Sequence, residues 1–236
     1  MTRRRWIADE VSGDRAALIG EHAARLARVL RARVGQRFDI ATGPSVRSGQ
    51  ITSIADDRVE FVLGEQIFTP VSPRITLLLA IFKFDRMEWV IEKCTELGVS
   101  QIVPLIAQRT DRHLASAAGK RVQRWRRIAL QASEQSRRPT PPEIAAPAKL
   151  RDLTSLKSAW RIVLAESEHQ ALLRDLLQAP PGDEVALAVG PEGGWTAGEL
   201  QHLQNQGWVS ASLGSTILRA ETAAIAATAI VLSSLA

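Results

Sequence analysis

The sequence of 236 residues contains a single cysteine, Cys94, so no intramolecular disulfide can form and no thiolate metal cluster is expected. Histidine is also scarce. His22, His113, His169 and His202 are scattered, with no ligand spacing between them, and no metal is expected. No apolar run reaches membrane-spanning length; the longest, Ala223 to Leu232, is broken by Thr228. The chain opens Met1-Thr2-Arg3-Arg4-Arg5-Trp6, a charged start without the apolar core of a signal peptide. A cytoplasmic protein with no membrane partner is expected. The dinucleotide fingerprint G-x-G-x-x-G is absent, which leaves NAD and FAD unsupported. There is no internal repeat and no low-complexity segment.

Positive charge is in excess, with 30 Lys and Arg against 25 Asp and Glu, and this favours a polyanionic partner. Hydrophobic content of 45% is enough for a buried core. The pattern changes near Ser72-Pro73, since the residue before a proline is pushed to extended geometry. Residues 1–72 show helical spacing from Ala16 to Leu30. Strand-like runs follow at Arg37 to Ala41, Arg47 to Ile54 and Arg58 to Leu63, separated by turn residues. One helix with several short strands predicts a small β-barrel. Residues 73–236 alternate: strand Ile75 to Ile81, helix Asp85 to Leu97, strand Ile102 to Ala107, helix Gly119 to Arg138, strand Arg161 to Ala165, helix Gln170 to Leu177. Such alternation predicts an α/β domain with a parallel sheet and helices on both faces. Trp89 and Trp125 lie in helical patterns and are assigned to packing.

Two consecutive units near the end stand out. Val185 to Val189 reads as a buried strand and runs into Gly190-Pro191-Glu192-Gly193-Gly194, a tight turn whose backbone can approach a ligand. Thr196 and Glu199 form a capping box for the next helix. Val209 to Leu213 is a further strand, Gly214 starts a turn, and Ala220 to Leu235 is an apolar helix. Turns at the carboxyl ends of strands are where ligands gather in α/β sheets.

The G-P-E-G-G loop, with Leu213-Gly214-Ser215-Thr216-Ile217-Leu218-Arg219-Ala220-Glu221-Thr222-Ala223, resembles bacterial 16S ribosomal RNA (uracil-N3) methyltransferases of the knotted SPOUT superfamily. The runs Lys83-Phe84-Asp85-Arg86-Met87-Glu88, Lys93-Cys94-Thr95-Glu96-Leu97-Gly98-Val99, Arg124-Trp125 and Glu134-Gln135-Ser136 follow the same family. Arg137 stands where glycine is usual, Gln36 where an acid is, Thr42 where an Asp commonly is, and Thr216 where an arginine often is. The resemblance implies a SPOUT-like α/β domain with a trefoil knot over 73–236 and a PUA-like RNA-binding β-barrel over 1–72. It implies S-adenosyl-L-methionine as cofactor, 16S ribosomal RNA or the small ribosomal subunit as partner, and a homodimer through the knot region. The alternatives are the same fold acting on a ribose 2′-OH and an RNA-binding assembly factor without catalysis.

On this resemblance the donor sits among three loops: Leu164 with Glu166; Gly190, Glu192, Gly193 and Gly194; and Leu213, Gly214 and Leu218. Arg219 is the candidate for stabilising the anion left when uracil N3 loses its proton. Glu221 either orients Arg219 or only occupies a helix N-terminus, where the dipole favours a carboxylate. Glu192 is read as fixing its own loop rather than acting as a base. The expected RNA contacts are Arg3, Arg4, Arg5, Arg28, Arg31 and Arg33, with Arg109 and Arg112 after a strand end.

Overall fold

The computed structural model describes residues 5–69, 73–153, 160–178, 182 and 184–235. In chain order the elements are β1 (Arg5–Ile7), β2 (Glu10–Ser12), β3 (Arg15–Ile19), α1 (Glu21–Ala24) with a π-helical turn Arg25–Val29, β4 (Arg37–Ala41), β5 (Val46–Ile54) and β6 (Arg58–Ile67). Then come β7 (Arg74–Ala80), α2 (Phe84–Leu97), β8 (Gln101–Ile106), α3 (Arg112–Gln135), β9 (Glu143–Ile144), β10 (Ala148–Lys149), β11 (Trp160–Leu164) and α4 (Leu173–Leu176). The last are β12 (Glu184–Val189), α5 (Ala197–Asn205), β13 (Val209–Ala211) and α6 (Ala220–Leu235). The chain divides into two compact units, Met1–Val71 with Leu130–Pro141, and Ser72–Ala129 with Pro142–Ala236.

The first unit is a six-stranded sheet in the order β1-β4-β5-β6-β3-β2, antiparallel except for β1 against β4. Its edge strands β1 and β2 are joined by Ala8 and Asp9, whose amides donate to Ala41 O at 3.0 Å and Ala17 O at 2.9 Å. Trp6, Leu18, Leu26, Ile40, Ile51, Val59, Phe61 and Leu63 fill one buried cluster. The helix expected over 16–30 does not form as one element. Ala16 and Leu18 pair with Phe61 and Val59 of β6, and Gly20, at φ 58, turns the chain before Glu21. That left-handed geometry suits glycine alone, so the ladder with β6 outweighs local helical spacing.

The tail of α3 belongs to this unit. Glu134 is fully buried and accepts from His22 Nε2, while His22 Nδ1 lies 3.0 Å from Asp9 Oδ2. Burial disfavours the imidazolium, but the hydrogen bonds to Asp9 and Glu134 outweigh it and raise the His22 pKa to about 9. Arg5 corrects an expectation. Its side chain is only 6% exposed; Nη1 donates to the Arg137 carbonyl and Nη2 lies 4.0 Å from Asp39 Oδ2. It ties the end of α3 to β4 and is not a surface contact for RNA. Arg137 itself has φ 62, which explains why glycine suits that position.

The second unit is a parallel sheet in the order β10-β8-β7-β12-β11-β13, with β9 added beside β8. Its strands bury both faces. Ile75, Leu77 and Leu79 meet Met87, Val90, Ile91 and Cys94 of α2 and Ala224, Ala227 and Val231 of α6. Leu78, Ala80, Ala186 and Ala188 meet Trp195, Leu203 and Trp208 on the other face. Two-faced burial explains the continuous apolar runs. Trp125 is fully buried, packed edge-on against Phe84 at 6.0 Å. Trp89, however, is 48% exposed, so its expected packing role is withdrawn. α3 begins before the expected Gly119, because Asp111 Oδ1 accepts from the amides of His113 at 2.8 Å and Leu114 at 3.1 Å. Among the described residues no helix is long and apolar enough to cross a membrane.

Candidate active site

β11, β12 and β13 are parallel neighbours, so their carboxyl ends open on one side. A cavity of about 850 Å³ lies there, bordered by Leu164, Val189 and Ala211, the last residues of those strands. The loop after β12 closes as a turn, with Gly194 N donating to Pro191 O at 2.8 Å. A side chain on Gly190 would come within 3.1 Å of the Trp195 indole, and Gly194 holds φ 68. Packing against Trp195 therefore favours glycine at the first position, and backbone geometry favours it at the second. Thr196 caps α5 through Glu199: the Thr196 amide donates to Glu199 Oε2 at 2.9 Å and the Glu199 amide to Thr196 Oγ1 at 3.3 Å.

The loops around the cavity are held to one another. Trp195 Nε1 donates to Leu164 O at 2.9 Å, joining the loop after β12 to the end of β11. Arg109 Nη1 donates to Gly193 O at 2.7 Å and to Trp195 O at 3.4 Å. Arg109, exposed and expected as an RNA contact, thus borders the cavity and fixes the glycine loop. Buried Glu199 accepts from Gln108 N at 2.8 Å, tying α5 to the segment after β8. After β13, Ser212 Oγ donates to Gly214 O at 3.0 Å, and Gly214 takes φ 138.

Ten of the expected residues border this one cavity: Leu164, Glu166, Gly190, Glu192, Gly193, Gly194, Leu213, Gly214, Leu218 and Arg219. Among the described residues the amides of Leu213 and Leu218 have no partner, and both residues are half-buried. Unpaired backbone donors of that kind suit a ligand that is read by the main chain. Glu166 is exposed and makes no hydrogen bond or ion pair among the described residues. Arg219 is also exposed and unpaired, so its guanidinium is available at the rim. Glu221 does not border the cavity; it is buried in the first turn of α6 and lies 3.4 Å from Arg86 Nη1.

Arg86, Trp195 and His169 also line the cavity and were not singled out by sequence. Their roles depend on distant loops coming together, although the K-x-D-R-M-E run did flag the neighbourhood of Arg86. Of the residues expected on RNA, Arg28, Arg31, Arg33 and Arg112 are exposed, and Arg28 Nη2 pairs with Asp56 at 3.1 Å. Arg3 and Arg4 lie outside the described residues. Burial pushes the Cys94 thiol up to about 12, so it offers no thiolate nucleophile. Among the described residues no group of three His, Cys, Asp or Glu could hold a metal ion.

A family model described as an RNA methyltransferase domain matches residues 70–232. The chain is 33% identical over 214 residues to the ribosomal RNA small subunit methyltransferase E of Rickettsia conorii, covering 88% of this chain and 85% of that one. The protein of that name from Aquifex aeolicus is 33% identical over 178 residues, or 72% of this chain and 73% of its own. A crystal structure of a ribosomal RNA small subunit methyltransferase E from Neisseria gonorrhoeae, bound to S-adenosyl methionine, superposes with TM-score 0.85. It is 29% identical to this chain, of which it covers 96%, and 95% of its own length takes part.

Proposed function

This chain belongs to the RNA methyltransferase family that includes the ribosomal RNA small subunit methyltransferases E, and from that premise we propose that it methylates N3 of a uridine in 16S ribosomal RNA, with S-adenosylmethionine as donor. The observation that carries this is the cavity at the ends of β11, β12 and β13, bordered by glycine loops, with an unpaired Arg219 at its rim. The residues present fit such a donor. The unpaired amides of Leu213 and Leu218 can read the adenine edge, and the free Glu166 carboxylate can accept from ribose hydroxyls or pair with the amino group. Gly190, Gly193 and Gly194 let the main chain approach closely. When bound, the donor supplies the methyl electrophile itself.

The protein's task is then to hold the uracil and stabilise charge. N3–H is a weak acid, and loss of its proton leaves negative charge spread over the ring carbonyl oxygens. A guanidinium stays charged at every working pH and offers a planar fork to those oxygens, so Arg219 lowers the cost of the anion. Glu221 lies behind it, off the cavity, and its part is to anchor the turn that carries Arg219. Arg28, Arg31 and Arg33 supply phosphate contacts from the first unit, which makes it the main RNA-binding module, and Arg112 adds one from the second. We read that unit's six-stranded sheet as the counterpart of the β-barrel the family implies. The same premise gives a trefoil knot in residues 73–236 and a homodimer through it. Ile217, 80% exposed at the end of the last loop, supports an interface there. The ribosomal substrate sets the reaction in the cytoplasm.

The test is to incubate the protein with small ribosomal subunits and isotopically labelled donor, then identify the nucleoside by mass spectrometry. Label in 3-methyluridine is expected. Label in a 2′-O-methylated nucleoside would move the reaction to the ribose, and donor binding without transfer to any RNA would leave only an assembly factor.

A further inference from the structure

Arg86 stands in the first turn of α2 and borders the cavity. Its Nη1 lies 3.0 Å from Glu192 Oε1 and 3.4 Å from Glu221 Oε1. The two carboxylates come from different elements, a loop and the first turn of α6. Glu192 belongs to the turn that follows β12, and Glu221 lies two residues after Arg219. Glu221 is buried, and its Oε2 has no hydrogen-bond partner. A carboxylate buried in this way is unfavourable unless a cation faces it, and Arg86 is that cation. Among the described residues the remaining nitrogens of Arg86, Nε and Nη2, have no hydrogen-bond acceptor.

We propose that Arg86 is a positioning residue for methyl transfer, fixing through one nitrogen the glycine loop to the turn that carries Arg219. It touches neither donor methyl nor base. It sets the distance between the loop that cradles the donor and the guanidinium that holds the uracil. The loop has two further ties, Arg109 to Gly193 and Trp195 to Leu164, so it stays folded without Arg86. What is lost is its register with Arg219. A displacement of about 1 Å between reacting groups costs about 10²-fold in rate. This inference rests on the function proposed above.

The experiment measures kcat, KM for small subunits, donor Kd and Tm for four proteins: wild type, Arg86→Met, Arg86→Lys and Arg86→Met with Glu221→Gln. Arg86→Met should lower kcat about 10- to 100-fold, with donor Kd and KM nearly unchanged. Because one nitrogen serves both carboxylates, the lysine ammonium can replace it, and Arg86→Lys should recover most of the rate. In the double variant glutamine removes the buried charge, so Tm should return while kcat stays low. If kcat returns together with Tm, Arg86 only neutralises Glu221 and the proposal is overturned. An unchanged kcat in Arg86→Met overturns it as well. If Arg86→Met fails to fold, Glu192→Gln at the more exposed end of the bridge decides: a lower kcat at unchanged Tm supports the link, and an unchanged kcat removes it. A wild-type protein that transfers no methyl group overturns both the function and the role of Arg86, whereas an active wild type with insensitive variants overturns Arg86 alone.

Discussion

Around the cavity of the second unit most charges are committed to structure. Arg86 holds two carboxylates, Arg109 holds two carbonyls, and Glu199 holds an amide and a cap, while Arg219 and Glu166 remain free. In the first unit the division is different. Arg31 and Arg33 have exposed, unpaired guanidinium groups, while Arg5 and His22 are enclosed among acids and carbonyls. The contrast shows that residue type does not give the role. An arginine beside a loop carbonyl fixes that loop, and one without a partner is available to an anionic ligand. Four variants test this division between the units.

The largest effect belongs to Gly194. Because φ is 68, Gly194→Val strains the backbone, although a Cβ there would meet nothing closer than Glu166 at 3.8 Å. Donor binding should be abolished in calorimetric titration while the far-ultraviolet circular dichroism spectrum is kept. A donor affinity equal to wild type would show that the loop does not cradle it. Next comes Arg219→Lys, which keeps the charge and loses the fork. Its single-turnover rate should fall about 10²- to 10³-fold at saturating RNA and donor, with Tm unchanged. A fall in Tm that tracks the rate would return Arg219 to a structural role.

In the first unit, Arg31→Ala with Arg33→Ala should weaken RNA binding several-fold and reduce the salt slope by about one per contact removed. Donor affinity should not change. An unaltered salt slope would place the phosphate contacts elsewhere. The smallest effect concerns stability. His22 titrates near 6.5 when unfolded and at about 9 in the fold, so its contribution is complete below 6.5 and is lost as pH rises through about 9. The loss is on the order of 3 kcal/mol. Urea titrations of wild type and His22→Gln between pH 6 and 10 should converge at the alkaline end. Parallel curves would remove the ion cluster from the stability of this unit.

Much of the second unit was legible because its signals are local. Continuous apolar strands such as Val185 to Val189, the capping box at Thr196 and Glu199, and the span of α6 all follow from neighbouring residues. The glycine loop that borders the cavity was legible for the same reason, as glycine and proline in a row leave few backbone options. The first unit was harder. The apolar residues Leu18, Ile19, Ala23 and Leu26 fit a helix, yet β3 forms because β6 lies beside it. Gly20 was the signal that could have shown the break. Burial of Arg5 and exposure of Trp89 were not legible, since both depend on what packs opposite. The Arg86 bridge joins residues 86, 192 and 221, which no local pattern connects.

The return of α3 to the first unit has a consequence for synthesis on the ribosome. Met1–Val71 emerges before Leu130–Pro141, yet both belong to one compact unit. Until α3 has left the exit tunnel, His22 has Asp9 but lacks Glu134, and Arg5 lacks the Arg137 carbonyl. Residues 1–71 therefore cannot complete their unit until residues 130–141 follow, by which time much of the second unit has also been made. A graft of residues 1–71 onto another protein would carry the same vacancy permanently, with Arg5 and His22 enclosed and half their partners missing.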